Sequence, residues 1–249
     1  IATRVDTDQG ISGWGYNCTL GEGSAALISI LERDLAPRFI GEDPFMVRRL
    51  WQELYLDRHF TGITGIAAQG VAAIEIALWD IKGKAVGKPV YELLGGRVHE
   101  KLRSYTYIYP DMSKGQDSTI FWNAEQSAER AAYYVERGFT GIKFDPAAPY
   151  SAFDPRQPSL ESIELCVKFC KLIREAVGTK ADLLFGTHGQ FTASGAIRFA
   201  KKIEPYDPLW FEEPTPPDKP EEMALVARGT SIPIATGERL TTKYEFGRV

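Results

Sequence analysis

Charged side chains stand at the ends of short apolar runs in the second half of this 249-residue sequence. The stretches GIKFD, LLFGTHGQ, WFEEP and PIATGE contribute, in chain order, Lys143 and Asp145, His188, Glu212 and Glu213, and Glu238. If each run is a strand of one parallel sheet, the strand ends gather these side chains at one edge. Buried carboxylates are costly unless a cation holds them, and oxygen ligands from separate strands suit Mg²⁺ better than zinc. The pattern therefore predicts a magnesium site with acid–base groups beside it.

The spacing of the carboxylates points to a gap in this set. Glu212 and Glu238 are 26 residues apart. The same interval counted back from Glu212 reaches position 186, where a third ligand would be expected and where the sequence has Gly186. His188 stands two residues further on, and Asp145 ends the neighbouring predicted strand. Either side chain could supply the missing contact, and the spacing leaves both open.

Predicted strands and helices alternate from Lys101 onwards. Four helical segments separate five apolar strands, a rhythm typical of parallel βα units and of a (β/α) barrel. A doubly wound open sheet is the rival fold, but no G-x-G-x-x-G motif follows a strand. A closed barrel of this kind has eight strands. We therefore expect residues 98–249 to be a partial α/β barrel, strands one to five, of a chain truncated after the fifth strand.

Residues 1–97 follow a different pattern, which predicts an α+β domain. The opening IATRVDTDQGISGWGY alternates around a DQG turn and predicts a hairpin. Three helical segments follow. In the second, DPFMVRRLWQELYL, we expect Asp43 to cap the helix and Pro44 to lie in its first turn.

The composition excludes several classes of partner. A net charge of -4 gives no electrostatic case for nucleic acid or for an anionic membrane surface. No apolar run approaches the roughly 20 residues of a transmembrane helix. Of the three cysteines, Cys166 and Cys170 have the spacing of core thiols on a helix, which favours a reducing compartment. We expect a cytoplasmic protein that acts on a small molecule.

These stretches resemble the enolase superfamily, in its mandelate racemase/muconate lactonizing enzyme branch. The matching segments cover nearly the whole chain in family order: VDTDQGISGWGY, AAIEIALWDIKGKAVGKPVYELLGG, GFTGIKFD, LLFGTHGQ, WFEEPTPP and IPIATGE. The resemblance implies an N-terminal α+β capping domain over a modified (β/α) barrel that binds Mg²⁺. It also implies a homo-oligomer, and a reaction that begins with abstraction of the proton next to a carboxylate, giving an enediolate.

The resemblance implies roles for individual residues. Glu212, in FEEP, and Glu238, in ATGE, match metal ligands, whereas Gly186 stands where the family has an aspartate. Lys143-Phe144-Asp145 stands where the racemases have Lys-x-Lys, so that Asp145 replaces the lysine that acts as the base. This departure argues against a racemase and makes Lys143 and Asp145 catalytic candidates of another kind.

The THGQ segment is similar to the Asp-x-His-Gly-Arg of sugar-acid dehydratases such as galactonate and mannonate dehydratase. In those enzymes the histidine acts as general acid for the departing β-hydroxyl, which implies the same role for His188. A histidine titrates near neutral pH and suits that task. The resemblance places the base on a histidine of a later strand, and neither His59 nor His99 matches it by order.

Several of these residues have structural alternatives. His188 could be a core histidine bonded to backbone, and Lys143 could be a barrel ion-pair lysine rather than a contact for the substrate carboxylate. Asp145 could be a metal ligand, an acid–base group or a partner of Lys143. Glu213 could orient Lys143 or a metal ligand.

Two loops are further candidates. In the LDRHFTG segment, Arg58 and His59 match a loop that approaches the substrate in this family, whereas His99 is expected at the surface. The proline-rich stretch at residues 145–159 is long for a βα loop, so it is either a lid over the site or a tolerated excursion.

Three functions remain open on the sequence. The first is Mg²⁺-dependent dehydration of a sugar acid to a 2-keto-3-deoxy acid, a hydro-lyase reaction. The second is epimerisation or cycloisomerisation of a sugar acid or of its anhydro or lactone derivative. The third is a non-catalytic family member that has lost its metal at Gly186.

Overall fold

The computed structural model describes residues 1–19, 22–60, 62, 64–145 and 154–249, and the chain divides into two compact units. The first unit comprises Ile1–Glu100 and Thr241–Gly247. The second comprises Lys101–Leu240 and Arg248–Val249. Most of the predicted lid, residues 146–153, lies outside the described residues. The proposed division into domains at residue 97 stays a prediction, and the sequence pattern does not anticipate that residues 241–247 lie with the first unit.

The first unit pairs a hairpin with helices. Strands β1 (Ala2–Asp6) and β2 (Ser12–Tyr16) are antiparallel, as the alternating pattern predicts. The helices are α1 (Ser24–Ser29), which continues as a π-helical turn (Ile30–Leu35) and a 3₁₀ turn (Ala36–Arg38), then α2 (Val47–Asp57), α3 (Gly65–Val86) and α4 (Val90–Leu93). Buried residues from α1, α2 and α3 form its apolar core: Leu27, Leu50, Leu54, Ile74 and Leu78.

The hairpin lies directly on α3 because β2 carries glycines on its inner face. A Cβ atom at Gly15 would lie 1.8 Å from the carbonyl oxygen of Ala73, and one at Gly13 would lie 2.1 Å from that of Ala77. Both distances are far shorter than any real contact, so only glycine permits this approach. The small residues of α3 provide the matching surface.

The prediction that Asp43 caps α2 was wrong. The helix begins at Val47, and its cap position is Met46, which makes no side-chain capping bond. The Asp43 carboxylate instead accepts a hydrogen bond of 2.9 Å from the backbone N–H of Phe45. Asp43 therefore stabilises a turn ahead of the helix, which is the other common use of an aspartate next to proline.

The second unit is a parallel α/β arrangement, as predicted. Its elements are β3 (Thr106–Tyr107), α5 (Ala124–Glu136), β4 (Gly141–Phe144), α6 (Leu160–Val177), β5 (Asp182–Phe185), α7 (Ala193–Ile203), β6 (Pro208–Glu212), α8 (Pro220–Gly229) and β7 (Ile234–Ala235). A last short helix, α9 (Lys243–Phe246), belongs to the first unit. The five strands pair in chain order, β3-β4-β5-β6-β7, and all are parallel. This is the strand order of a (β/α) barrel rather than of a doubly wound sheet.

The register of the parallel strands separates an apolar face from a polar one. Phe144, Phe185 and Phe211 are neighbours across three strands, and the rings of Phe185 and Phe211 lie 4.8 Å apart edge to face. Because side chains alternate along a strand, the residues before and after each phenylalanine point to the opposite face. With the phenylalanines on one face, Lys143, Asp145 and Glu212 lie on the other.

Within the described ranges, none of the helices combines the length and the apolar character needed to cross a bilayer.

Candidate active site

The predicted site residues of the second unit follow from the strand register. Lys143, Leu184 and Trp210 form one row across β4, β5 and β6 on the face opposite the phenylalanines. Two residues further along each strand, on the same face, come Asp145, Gly186 and Glu212. The backbone continues this pairing, since Gly186 donates to the carbonyl of Phe144 at 2.9 Å and Thr187 to that of Glu212 at 3.2 Å. The carboxyl ends of the strands thus bring the predicted residues together.

Lys143 and Glu212 form a largely buried ion pair. The Lys143 Nζ lies 2.8 Å from Oε1 and 2.7 Å from Oε2 of Glu212, and Trp210 Nε1 donates to Oε2 at 3.3 Å. Burial alone would lower the pKa of Lys143, but the hydrogen bond and the charge of Glu212 outweigh it and raise the pKa. The lysine therefore stays an ammonium ion at neutral pH, suited to hold negative charge rather than to act as a base.

His188 lies between two carboxylates. Its Nδ1 is 3.4 Å from Asp145 Oδ2, and its Nε2 is 3.9 Å from Glu238 Oε1. The side chain is 23% exposed, so His188 is accessible rather than fully enclosed in the core. Burial raises the pKa of Asp145 above its ordinary value, and the positive charges of His188 and Lys143 and a hydrogen bond from Tyr107 only partly offset that effect.

The loop that carries His188 is tied to β6. The Thr187 hydroxyl lies 2.6 Å from the carbonyl oxygen of Glu212 and 2.9 Å from that of Glu213. The backbone N–H of His188 donates to Gln190 Oε1 at 3.1 Å. Gly189 has a φ of 68°, a left-handed conformation that glycine adopts without strain. The histidine that the sequence places on a glycine-flanked loop is therefore held by several backbone contacts.

Glu213 is fully buried and faces Arg239 rather than Lys143. Its carboxylate contacts the Arg239 guanidinium, which also contacts Glu238 Oε1 at 2.5 Å. Burial raises the pKa of Glu213, and Arg239 offsets part of that effect. Glu213 has a φ of 42°, a strained conformation for a residue other than glycine that costs about 1–3 kcal/mol and is typical of functional sites.

Sequence reasoning missed Arg239, Tyr107 and Trp210 as members of this site. Arg239 had a signal, because it follows Glu238 directly in ATGER and buried carboxylates need a cation. Tyr107 is the last residue of β3 and therefore stands at the same edge of the sheet. Trp210 lies two residues before Glu212 on β6, so alternation along the strand places both on one face. Thr187 contacts Glu212 across the register of two strands, which the sequence alone does not show.

The donor set suits a divalent cation, although the side chains are not gathered as a closed ligand group. Across the described ranges, no three His, Cys, Asp or Glu side chains converge as they would around a metal ion. Lys143 holds Glu212, and Arg239 holds Glu238. The described residues give no hydrogen-bond partner to Asp145 Oδ1 or Glu213 Oε1, which are both buried. Buried carboxylate oxygens without partners are costly, and Mg²⁺ is a cation that such oxygens bind.

The predicted substrate contacts outside this group belong to the first unit. Arg58 follows α2 and its Nη2 lies 3.4 Å from the carbonyl oxygen of Asp34. The His59 ring lies edge to face with Phe60 at 5.8 Å. His99 is exposed. A role for Arg58 or His59 toward a substrate stays a prediction.

Comparison with known proteins shows the family. The N-terminal domain of the mandelate racemase/muconate lactonizing enzymes matches residues 1–95, and the enolase C-terminal domain-like family matches residues 126–249. The chain therefore belongs to the enolase superfamily, in the mandelate racemase/muconate lactonizing enzyme branch. The parallel strand order and the strand-end carboxylates described above agree with this assignment.

Three similar proteins illustrate the relationship. D-galactonate dehydratase of Xanthomonas oryzae pv. oryzae (strain PXO99A) is 34% identical over 246 residues, which are 99% of this chain and 60% of that protein. The mandelate racemase/muconate lactonizing enzyme from Sulfitobacter sp. is 47% identical with a TM-score of 0.88, over 98% of this chain and 62% of its own. An enolase superfamily member from Salmonella Typhimurium is 31% identical with a TM-score of 0.90, over 99% of this chain and 66% of its own. This chain thus spans about 60% of the length of the curated relatives that it matches.

Proposed function

We propose that the protein is a Mg²⁺-dependent sugar-acid dehydratase. It would remove the proton next to the substrate carboxylate and expel the β-hydroxyl as water, giving a 2-keto-3-deoxy sugar acid. The observation that carries this proposal is the position of His188, accessible and held between Asp145 and Glu238 at the carboxyl ends of the strands. The relatives that bear the name D-galactonate dehydratase support the same reaction class.

His188 is the group that we assign to the departing hydroxyl. A hydroxide ion is a poor leaving group, so a proton must reach the β-oxygen as the carbon–oxygen bond breaks. Asp145 Oδ2 lies 3.4 Å from Nδ1, where it can orient the imidazole ring. This arrangement leaves Nε2 as the atom that donates the proton.

Lys143 and Tyr107 would complete the polar wall of the site. The Lys143 ammonium stays charged because Glu212 raises its pKa, so it can hold an anionic group of the substrate. Tyr107 donates a hydrogen bond to Asp145 and lies beside Tyr109, with ring centres 5.5 Å apart. Phenol groups of this kind suit the hydroxyls of a sugar acid.

Glu212 and Glu238 are the residues that would hold Mg²⁺. Asp145 lies in the same row as Glu212, with Gly186 of the intervening strand between them. A bound Mg²⁺ supplies Lewis-acid stabilisation of the negative charge that develops on the substrate carboxylate. The small-molecule substrate, the homo-oligomer and the cytoplasmic location remain proposals.

The test is a substrate panel. The protein expressed from its complete coding sequence is incubated with MgCl₂ and a set of aldonates and aldarates that includes D-galactonate. Semicarbazide then detects 2-keto-3-deoxy products, and the same reactions in D₂O report exchange of the α-proton. We expect a semicarbazide-reactive product from at least one acid. Glu212→Gln should abolish it, whereas the same change at the exposed Glu221 should not.

Two results would contradict the dehydratase. Exchange of the α-proton with solvent deuterium, without loss of water, would favour the epimerase or cycloisomerase. Absence of any product across the panel, from protein shown to bind Mg²⁺, would remove the support for a sugar-acid lyase.

A further inference from the structure

The strand register places an empty position between two acidic residues. Asp145, Gly186 and Glu212 occupy equivalent positions at the ends of β4, β5 and β6, on one face of the sheet. Adjacent strands lie about 4.8 Å apart, so the outer two would stand about 10 Å apart with a gap between them. A glycine in the middle of such a row leaves room that its neighbours can enter.

Asp145 enters that room. A Cβ atom built on Gly186 would lie 2.2 Å from Asp145 Oδ1 and 3.4 Å from Asp145 Cγ. The carboxylate of the neighbouring strand thus occupies the volume in which a side chain at position 186 would begin. An aspartate at 186 and the observed position of Asp145 exclude each other, since no real contact is as short as 2.2 Å.

The two oxygens of Asp145 have different surroundings. Oδ2 faces His188 Nδ1 at 3.4 Å. Oδ1 is buried and has no hydrogen-bond partner in the described part of the chain. A buried carboxylate oxygen without a donor costs free energy that a cation would recover.

The local charge balance also points to a cation. Two more carboxylates than permanent cations meet here, namely Asp145, Glu212, Glu213 and Glu238 against Lys143 and Arg239. Carboxylates in excess of the cations that neutralise them favour the binding of a divalent ion.

We propose that Asp145 Oδ1 is the third carboxylate ligand of a Mg²⁺ site formed with Glu212 and Glu238, and that Gly186 is glycine because Asp145 takes its space. This assignment rests on the metal dependence of the proposed function. Asp145 then serves two neighbours, the cation through Oδ1 and His188 through Oδ2. The third carboxylate would then come from the end of β4, because Gly186 at the end of β5 has no side chain.

The test measures Mg²⁺ affinity rather than activity. The full-length protein is stripped with EDTA, dialysed and titrated with MgCl₂ in a calorimeter. Loss of a partner of a bound metal commonly weakens binding by 10–100-fold, so we expect Asp145→Ala to lie at or beyond the upper end of that range, about 100-fold. Asp145→Asn keeps one oxygen and should lose about 10-fold. The matched control is Asp218→Asn, which removes the same charge at an exposed position in the loop after β6 and should stay within about twofold.

Position 186 gives the reciprocal test. Gly186→Ala removes no carboxylate, but its methyl group would displace Asp145 Oδ1, so it should weaken Mg²⁺ binding by about 10-fold. The double variant Asp145→Gly with Gly186→Asp returns the carboxylate to β5 and should bind Mg²⁺ more tightly than Asp145→Gly alone. Circular dichroism and thermal unfolding identify any variant that does not fold, in which case Asp145→Asn, the mildest change, decides.

Unchanged Mg²⁺ affinity in Asp145→Ala and Gly186→Ala would overturn the assignment and leave Asp145 as a partner of His188 alone. Absence of Mg²⁺ binding by the wild-type protein would overturn it as well. If the wild type binds Mg²⁺ and Asp145→Ala does not, but no sugar acid is dehydrated, the ligand assignment stands and the proposed function fails.

Discussion

The two units of this protein bury different kinds of group. In the first, β2 lies on α3 at a distance that only glycine permits, and the core around it is aliphatic. In the second, a row of phenylalanines fills one face of the sheet, while the other face carries carboxylates, a lysine and a histidine. The first interior depends on shape, whereas the second depends on balanced charge. Substitutions in the first unit should therefore lower stability through steric overlap, and those in the second through unbalanced charge or lost chemistry.

The largest effect is expected at His188. If His188 is the general acid, His188→Gln should lower kcat by about 10²–10⁴-fold, the usual contribution of a positioned acid–base group. Steady-state kinetics on the best substrate of the panel measures this, and thermal unfolding should remain close to that of the wild type. The same change at the exposed His99 serves as the control. Equal activity of both variants would make His188 a structural residue. The charged face of the second unit would then lose its proposed acid–base role.

Arg239 should show how much the second unit depends on charge balance. Removing it leaves the fully buried Glu213 without its cation. Breaking a buried pair from one side costs about 3–5 kcal/mol, so Arg239→Met should lower the free energy of unfolding by about that amount. The double variant Arg239→Met with Glu213→Gln should recover much of the loss. Denaturant unfolding of the wild type, Arg239→Met, Glu213→Gln and the double variant gives the coupling free energy between the two side chains. Additive losses would show that the pair does not act as a unit.

Gly15 tests the shape-dependent interior of the first unit. Gly15→Ala places a methyl group 1.8 Å from the backbone oxygen of Ala73. Overpacking of this kind costs about 1–3 kcal/mol because β2 or α3 must move. Gly13→Ala should behave alike. A control comes from Gly41→Asn, since Gly41 has a φ of 84° and no atom within 4 Å of a built Cβ; asparagine tolerates this conformation better than other residues. Denaturant unfolding that shows equal stability for Gly15→Ala and the wild type would contradict the close-packed interface.

Substitution of Glu75 should give the smallest effect, and it should stabilise the protein where the preceding substitutions destabilise or inactivate it. It is a partly buried carboxyl on α3, and burial raises its pKa above the ordinary 4.5, with a hydrogen bond to Trp79 offsetting part of this. The folded state therefore binds the proton more tightly than the unfolded state. The free energy of unfolding should fall as the pH rises from 4.5 through the raised pKa, and should not recover above it.

Glu75→Gln should remove that dependence and stabilise the protein at pH 7 by less than about 1 kcal/mol. Denaturant titrations between pH 4 and pH 8 check it, with the exposed Glu32→Gln as the matched control. If the free energy of unfolding of the wild type rose between pH 4 and pH 8 by more than that of Glu75→Gln, the pKa of Glu75 would be lowered by folding and not raised.

Much of the second unit could be predicted because its signals are local. The Asn123 side chain accepts a hydrogen bond of 3.0 Å from the backbone N–H of Gln126 at the start of α5, which is the usual role of an asparagine before a helix. The apolar runs became β4, β5 and β6, and their parallel order follows from alternation with helices. Alternation along a strand also places Lys143 and Asp145 on one face. The first unit was less predictable, since Asp43 caps a turn rather than a helix and α1 continues as a π-helical turn.

By itself, the sequence determined that acidic and basic groups stand at the ends of parallel strands, and that position 186 has no side chain. Both follow from residue type and from the period of two along a strand, which are local properties. The tertiary structure alone decided that Asp145 enters the space beside Gly186, that Glu213 faces Arg239, and that β2 lies against α3. These contacts depend on the register between strands and on how closely one backbone approaches another. Both are determined by residues far apart in the sequence, which come together only when the chain folds.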